Sequence, residues 1–366
     1  MKTLLLDGGL GTTLESPPFN QTFTSETPLW SSHLLVTCPS ILRAAHNAFY
    51  TAGSDILLTA TYQTSFAGFT QTNETYTAQD AARYMQSAIP LARSAVPGPE
   101  RPCRVALSLG PYGATMTPVA AEYTGIYPES MNREDALREW HAARLSVFAE
   151  DNAVATLTST ATATGNADAN GSWDGVDYVA FETLRRVDEV RAVRGAMADV
   201  VHGPVHDQQR KPWWVCGVFP AEEIDEADVR RWVCAAIGEY AGLPRPWGIG
   251  LNCTRVDHVD RIVSIMQDEL RRLAQSETGF LDEWGSESGR PWLVLYPDGT
   301  QGEKYDPATK TWVTSGTGSV RRPWDETLWD VVQSQDEGDW EGIIIGGCCR
   351  AGPQEIAALR RRIDGV

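Results

Sequence analysis

The sequence predicts an α/β protein built as a (β/α)8 barrel, and three observations support this. Eight short apolar runs alternate with eight amphipathic stretches along the 366 residues. The runs are near-continuously apolar, the pattern of parallel strands covered on both faces. No Gly-x-Gly-x-x-Gly fingerprint follows the first run, which sets aside the doubly wound open sheet, the other architecture that alternates strand and helix. A chain of 366 residues suits one such barrel with insertions, so a single domain over 1–366 is expected.

Each element follows from its local sequence. The first strand is expected at Thr3–Leu6, where apolar residues run into the turn Asp7-Gly8-Gly9. Helical Ser40–Ala52 leads to the second strand, Asp55–Ala60. Thr77–Ala95 leads to the third, Val105–Leu109, closed by Gly110-Pro111. Arg133–Glu150 is the next helix and Tyr178–Phe181 the fourth strand. Asp188–Val201 precedes Trp213–Val218, and Glu222–Ala241 precedes Gly248–Leu251. Asp257–Ala274 precedes the seventh strand, Trp292–Leu295. Asp325–Gln335 precedes the eighth, Gly342–Ile345, an isoleucine run closed by Gly346-Gly347. Pro353–Ile363 is the last helix. Two polar stretches interrupt the alternation. Thr156–Ser172 reads as an exposed insertion before the fourth strand, and Ser276–Ser288 as a loop before the seventh.

The net charge is −17. A nucleic-acid partner needs a basic face and an anionic membrane a basic patch, so neither is expected. The N-terminus has three leucines before Asp7, short of the roughly 7–15 apolar residues of a secretory signal. No run approaches the ~20 residues of a membrane span. Seven cysteines are an odd number for a disulfide framework. They fit a reducing compartment, where thiols stay free, metal-bound or buried. The expectation is a cytoplasmic protein, monomer or homodimer, acting on small molecules.

In such a barrel the chemistry sits at the C-terminal strand ends. Cys253 closes the sixth run in Gly250-Leu251-Asn252-Cys253-Thr254, and Cys348 and Cys349 follow the eighth. Two neighbouring thiols plus a third from another strand make a donor set that suits zinc. Other strand ends carry Asp7-Gly8-Gly9, Thr59-Ala60-Thr61-Tyr62, Gly110-Pro111-Tyr112-Gly113 and Phe181-Glu182-Thr183.

These blocks, with Leu10-Gly11-Thr12, Leu29-Trp30-Ser31, Glu122-Tyr123 and Gly346-Gly347-Cys348-Cys349-Arg350, resemble the homocysteine S-methyltransferase family from about residue 3 to residue 363. The resemblance implies a (β/α)8 TIM barrel in which Cys253, Cys348 and Cys349 bind Zn(2+). It implies methyl transfer to the sulfur of homocysteine, giving methionine. Asp7, Gly8, Gly9, Thr59, Glu182 and Asn252 are then expected around homocysteine. Amides at the glycine turn could approach its carboxylate, and Glu182 could pair with its ammonium group. Trp30, Tyr62, Tyr112 and Tyr123 could offer ring faces to a cationic donor. The small-molecule partners are homocysteine and a sulfonium donor, S-methylmethionine or S-adenosylmethionine. Betaine is the alternative donor, disfavoured because the chain ends at Val366, just after the eighth helix. A non-catalytic zinc or amino-acid-binding barrel is the other alternative.

Each residue also has a plainer reading. Cysteine is among the most buried residue types, and Cys38, Cys103, Cys216 and Cys234 read as packing residues. Asp7 could cap a turn and Thr59 could belong to the core. His46 reads as a structural residue. Arg360-Arg361-Arg362 suits the negative end of the last helix. The sequence departs from the family at Tyr296-Pro297-Asp298-Gly299 and at Gly217-Val218-Phe219-Pro220.

Overall fold

The computed structural model describes residues 1–24, 27–98, 101–149, 172–200, 211–276, 289–300, 303–306, 311–314 and 322–366. The loop expected at Ser276–Ser288 and the insertion expected at Thr156–Ser172 lie outside these residues apart from Ser276 and Ser172.

The barrel strands are β1 (Lys2–Leu5), β2 (Ile56–Leu58), β3 (Arg104–Leu109), β4 (Tyr178–Leu184), β5 (Trp213–Gly217), β6 (Gly248–Arg255), β7 (Trp292–Asp298) and β10 (Gly342–Ile345). They form one parallel sheet in the order β1-β10-β7-β6-β5-β4-β3-β2. A bridge from Leu6 to Ile56 brings its edges together, giving a (β/α)8 TIM barrel. At this seam carboxylates supplement the ladder: Leu5 N–H donates to Asp55 and Leu58 N–H to Asp7, each across 2.9 Å. A hairpin of β8 (Glu303–Asp306) and β9 (Thr311–Thr314) follows β7.

The helices are α1 (Leu10–Glu15), α2 (Leu34–Thr37), α3 (Pro39–Ala52), α4 (Phe66–Thr72), α5 (Ala78–Ser94), α6 (Glu134–Ala149), α7 (Val187–Val200), α8 (Glu226–Ile237), α9 (Val259–Ser276), α10 (Trp324–Gln333) and α11 (Pro353–Asp364). Each expected helix is present, and α1, α2 and α4 are short additions between barrel elements. None is long and apolar enough to cross a membrane.

The strands are apolar throughout because both faces are covered. Leu293, Leu295, Ile343 and Ile345 pack outward with the helices, while Val294 and Ile344 fill the lumen with Leu4, Leu6 and Trp214. Near the start of the strands, Trp247 stacks on Trp292 with ring centres 4.6 Å apart and lies 5.5 Å from Tyr178. These aromatics plug that end of the lumen, so a cleft can open only at the other. β4 and β6 run past their expected ends through register shifts, after Phe181 and after Asn252.

Candidate metal centre and substrate cleft

The register shift in β6 places Cys253 at φ 47°, in the left-handed region that a cysteine seldom adopts. Thr183, in the β4 shift, has φ 59°. Irregularities of this kind re-aim side chains at barrel rims. Asn252 ties the two together. Its Oδ1 accepts the Thr183 N–H across 2.7 Å, and its Nδ2 donates to Thr183 Oγ1 across 2.8 Å and to Cys253 Sγ across 3.3 Å.

Cys348 and Cys349 occupy the turn after β10. The Cys348 N–H donates to the Pro297 carbonyl across 2.8 Å, and the Gly347 N–H to the Asp7 carbonyl across 3.0 Å. The turn is therefore clamped between the ends of β7 and β1. The three sulfurs lie within 4.8 Å of one another. The Cys253 and Cys348 sulfurs are in contact, with Cα atoms 5.4 Å apart, and the Cys349 thiol stands beside them. Three sulfurs so gathered could hold a metal ion, and around a tetrahedral zinc such sulfurs would stand roughly 3.8 Å apart at Zn–S near 2.3 Å. Burial pushes the Cys349 thiol up to about 12, and Asp298 and Glu122 add to the effect.

All three cysteines line one cleft at the C-terminal strand ends, with Gly8, Gly9, Thr59, Glu182 and Asn252. Trp30, Tyr62 and Tyr123 form another part of its wall. Tyr112 is not among the lining residues. Its ring stands edge-on to Tyr127 and Trp140, with centres 5.3 and 5.4 Å away. Asp7 lies behind the lining, 2% exposed, with Oδ2 engaged by the Leu58 amide. The Gly9 amide is also engaged, donating to the Ala351 carbonyl across 2.9 Å. A Cβ on Gly9 would collide with the Cys348 carbonyl. That glycine is thus required by the cysteine turn whatever a substrate needs.

Glu182 is buried at the end of β4, and Ser108 Oγ donates to its carboxylate. Burial raises its pKa to about 7, against the hydrogen bond from Ser108 and the charge of Arg144. The Thr59 hydroxyl accepts the Ser108 N–H across 3.0 Å and meets Thr61 Oγ1 at 2.6 Å. Tyr62 and Tyr123 are half-buried, and desolvation raises their phenol pKa values well above the usual tyrosine range, so both stay neutral.

Sequence reasoning did not assign Ser108, Glu15 or Glu122, which all line the cleft. Ser108 lies inside an apolar run, and only its neighbour Glu182 reveals it. Glu122 precedes Tyr123 and could have been assigned with it.

The sequence model described as homocysteine S-methyltransferase matches residues 4–363. The chain is 25% identical to homocysteine S-methyltransferase YbgG of Bacillus subtilis, covering 98% of this chain and 95% of that one. It is 29% identical to betaine-homocysteine S-methyltransferase of Drosophila melanogaster, covering 93% of this chain and 88% of that one. In fold it is similar to the metallated form of the homocysteine methyltransferase MmuM from Escherichia coli, at a TM-score of 0.63 and 24% identity over 99% of this chain and 96% of that one. The chain belongs to the homocysteine S-methyltransferase family.

Proposed function

We propose that this protein transfers a methyl group from a sulfonium donor, S-methylmethionine or S-adenosylmethionine, to the sulfur of L-homocysteine, using zinc held by Cys253, Cys348 and Cys349. One observation carries the reading: three sulfurs from two strand ends converge within 4.8 Å in a cleft that also holds Glu182. Three protein ligands leave one tetrahedral position open. Zinc bound there would hold the homocysteine sulfur as a thiolate at neutral pH, which a free thiol of pKa about 8.5 largely is not.

The chain's own residues do the rest. Ionised Glu182 accepts the ammonium group of homocysteine, and Ser108 fixes the direction of its carboxylate. Asn252 donates to Cys253 Sγ, which orients that ligand. Trp30, Tyr62 and Tyr123 present ring faces to the positive donor. The homocysteine sulfur attacks the methyl carbon. The old carbon–sulfur bond breaks, its electron pair stays on the donor sulfur, and a neutral thioether departs.

The acids Glu15 and Glu122 in the cleft favour a sulfonium donor over betaine by net charge, because S-methylmethionine and S-adenosylmethionine carry two cationic groups against one carboxylate and betaine carries one of each. Betaine is the second reading, because the Drosophila relative is named for it. A donor panel with homocysteine, read as methionine formed, tests both. S-methylmethionine or S-adenosylmethionine is expected to lead. Betaine in the lead would overturn the donor assignment, and no methionine with any donor would overturn methyl transfer.

A further inference from the structure

Arg144 is a cation with almost no exposure to water, 2%. It projects from α6 behind the cleft wall and does not line the cleft. Its guanidinium reaches three main-chain carbonyls at two strand ends. Nη1 donates to Gly110 across 2.8 Å, and Nη2 to Thr61 and Tyr62, each across 2.7 Å. The Gly110 N–H returns a bond to the Tyr62 carbonyl across 3.0 Å. The Tyr62 ring lies directly on Gly110, where a Cβ would stand 2.7 Å from it. Trp140, one turn earlier on α6, puts its ring centre 5.2 Å from the guanidinium carbon.

The same bonds continue to the acid. Thr61, whose carbonyl Arg144 holds, donates its hydroxyl to the Ser108 carbonyl across 2.7 Å. Ser108 in turn donates to Glu182. A neighbouring network fixes the next loop: Glu189 of α7 accepts the Tyr112 N–H across 2.7 Å and the Tyr127 hydroxyl across 2.6 Å, and faces His141 Nε2 at 3.1 Å. A buried guanidinium is costly to desolvate, and Met or Leu would fill the volume more cheaply. A five-donor fork spent on carbonyls at two strand ends is explained by what those ends carry.

We propose that Arg144 is a positioning residue for methyl transfer, setting the Tyr62 ring against the donor and the Ser108–Glu182 pair against the homocysteine ammonium through main-chain carbonyls. It touches neither substrate. The proposal rests on the methyl-transfer reading of the cleft. Arg144 also supplies the positive charge that acts on Glu182, which otherwise faces Asp7 from β1, Tyr62 after β2, Cys216 from β5 and Tyr296 from β7.

The test compares Arg144→Lys and Arg144→Met as reduced, zinc-loaded proteins. Homocysteine affinity is measured by calorimetry across pH, and initial rates are measured with S-methylmethionine. Arg144→Met is expected to fold and keep its zinc, with the donor KM and the homocysteine Kd each raised about tenfold or more. Its pH midpoint for homocysteine binding is expected to move upward. Arg144→Lys keeps the charge without the fork, so it should restore the midpoint but not the donor KM. Unchanged KM, Kd and midpoint would overturn the proposal. So would a loss that follows only the folded fraction. If neither variant folds, Arg144→Gln decides, because its amide can still donate to one of the carbonyls but carries neither the charge nor the fork. A raised donor KM with an upward homocysteine midpoint supports the proposal, and an unchanged donor KM defeats it. Should the wild type bind homocysteine but form no methionine with any donor, the methyl-transfer reading fails, and the homocysteine midpoint still tests the link from Arg144 to Glu182.

Discussion

Asn252 Nδ2 donates a hydrogen bond to Cys253 Sγ across 3.3 Å. The same side chain accepts the Thr183 N–H, so one buried amide joins the shifts of β4 and β6 and directs the Cys253 sulfur.

Asn252→Leu should therefore show two separate losses. The orphaned Thr183 amide should cost about 1–3 kcal/mol in denaturant unfolding. Zinc affinity, read by chelator competition, should fall roughly 10–100-fold although all three cysteines remain. Unchanged zinc affinity would show that the amide serves the fold alone.

Cys348→Ala and Cys349→Ala should each lose both zinc and turnover, whereas Cys38→Ala should lose neither. Removing zinc from the wild type with a chelator should abolish methyl transfer with nearly unchanged melting, because none of the three cysteines is among the buried core residues and only Cys348 packs against them. Collapse of the fold on chelation would make the metal structural.

How far the sequence carried this picture differs from residue to residue. Strands such as Gly342–Ile345 were legible because a strand covered on both faces leaves a plain apolar run. The ends of β4 and β6 were not, because a register shift carries no local sequence signal and its left-handed residues here are Thr183 and Cys253 instead of glycine. The meeting of the three cysteines was legible from strand order. Asp7 and Gly9 were expected around the substrate, with turn-capping as the plainer reading of Asp7, and the Leu58 amide and the Ala351 carbonyl occupy them. Tyr112 was not legible, because it opens a 3-10 turn, Tyr112–Thr115, beyond the end of β3, where strand alternation no longer sets which way a side chain faces.

Glu182 makes the pH dependence specific. Its carboxyl titrates near 4.5 in an unfolded chain and at about 7 in the folded protein. The folded state holds the proton more tightly, so this residue's effect on stability is most favourable at low pH. It worsens as pH rises from about 4.5 to about 7 and is flat above, where the penalty is on the order of 3 kcal/mol. Glu182→Gln should then be more stable than the wild type at pH 8 and should converge with it near pH 4. Homocysteine binding should run the opposite way. In the wild type it should strengthen as pH rises through about 7, because only the carboxylate accepts an ammonium group, and in Glu182→Gln it should be weak throughout. Calorimetry across pH checks the sign. Wild-type binding that weakens through this window would remove Glu182 from the ammonium site.

Gly9→Ala separates the two uses of the glycine turn. The added Cβ meets the Cys348 carbonyl and the Thr12 hydroxyl, so the cysteine turn must shift or α1 must move. Overpacking of this kind costs about 1–3 kcal/mol. The shift falls on Cys348 itself, so zinc affinity should drop although every ligand is present, and homocysteine binding should drop with it. If Gly9 instead served chiefly to admit the substrate carboxylate, zinc would bind as in the wild type and homocysteine alone would weaken. Measuring zinc by chelator competition without homocysteine, and then homocysteine at saturating zinc, distinguishes the two. The engaged Gly9 amide favours the first outcome, because the bond it already gives to Ala351 would have to break before it could serve a carboxylate.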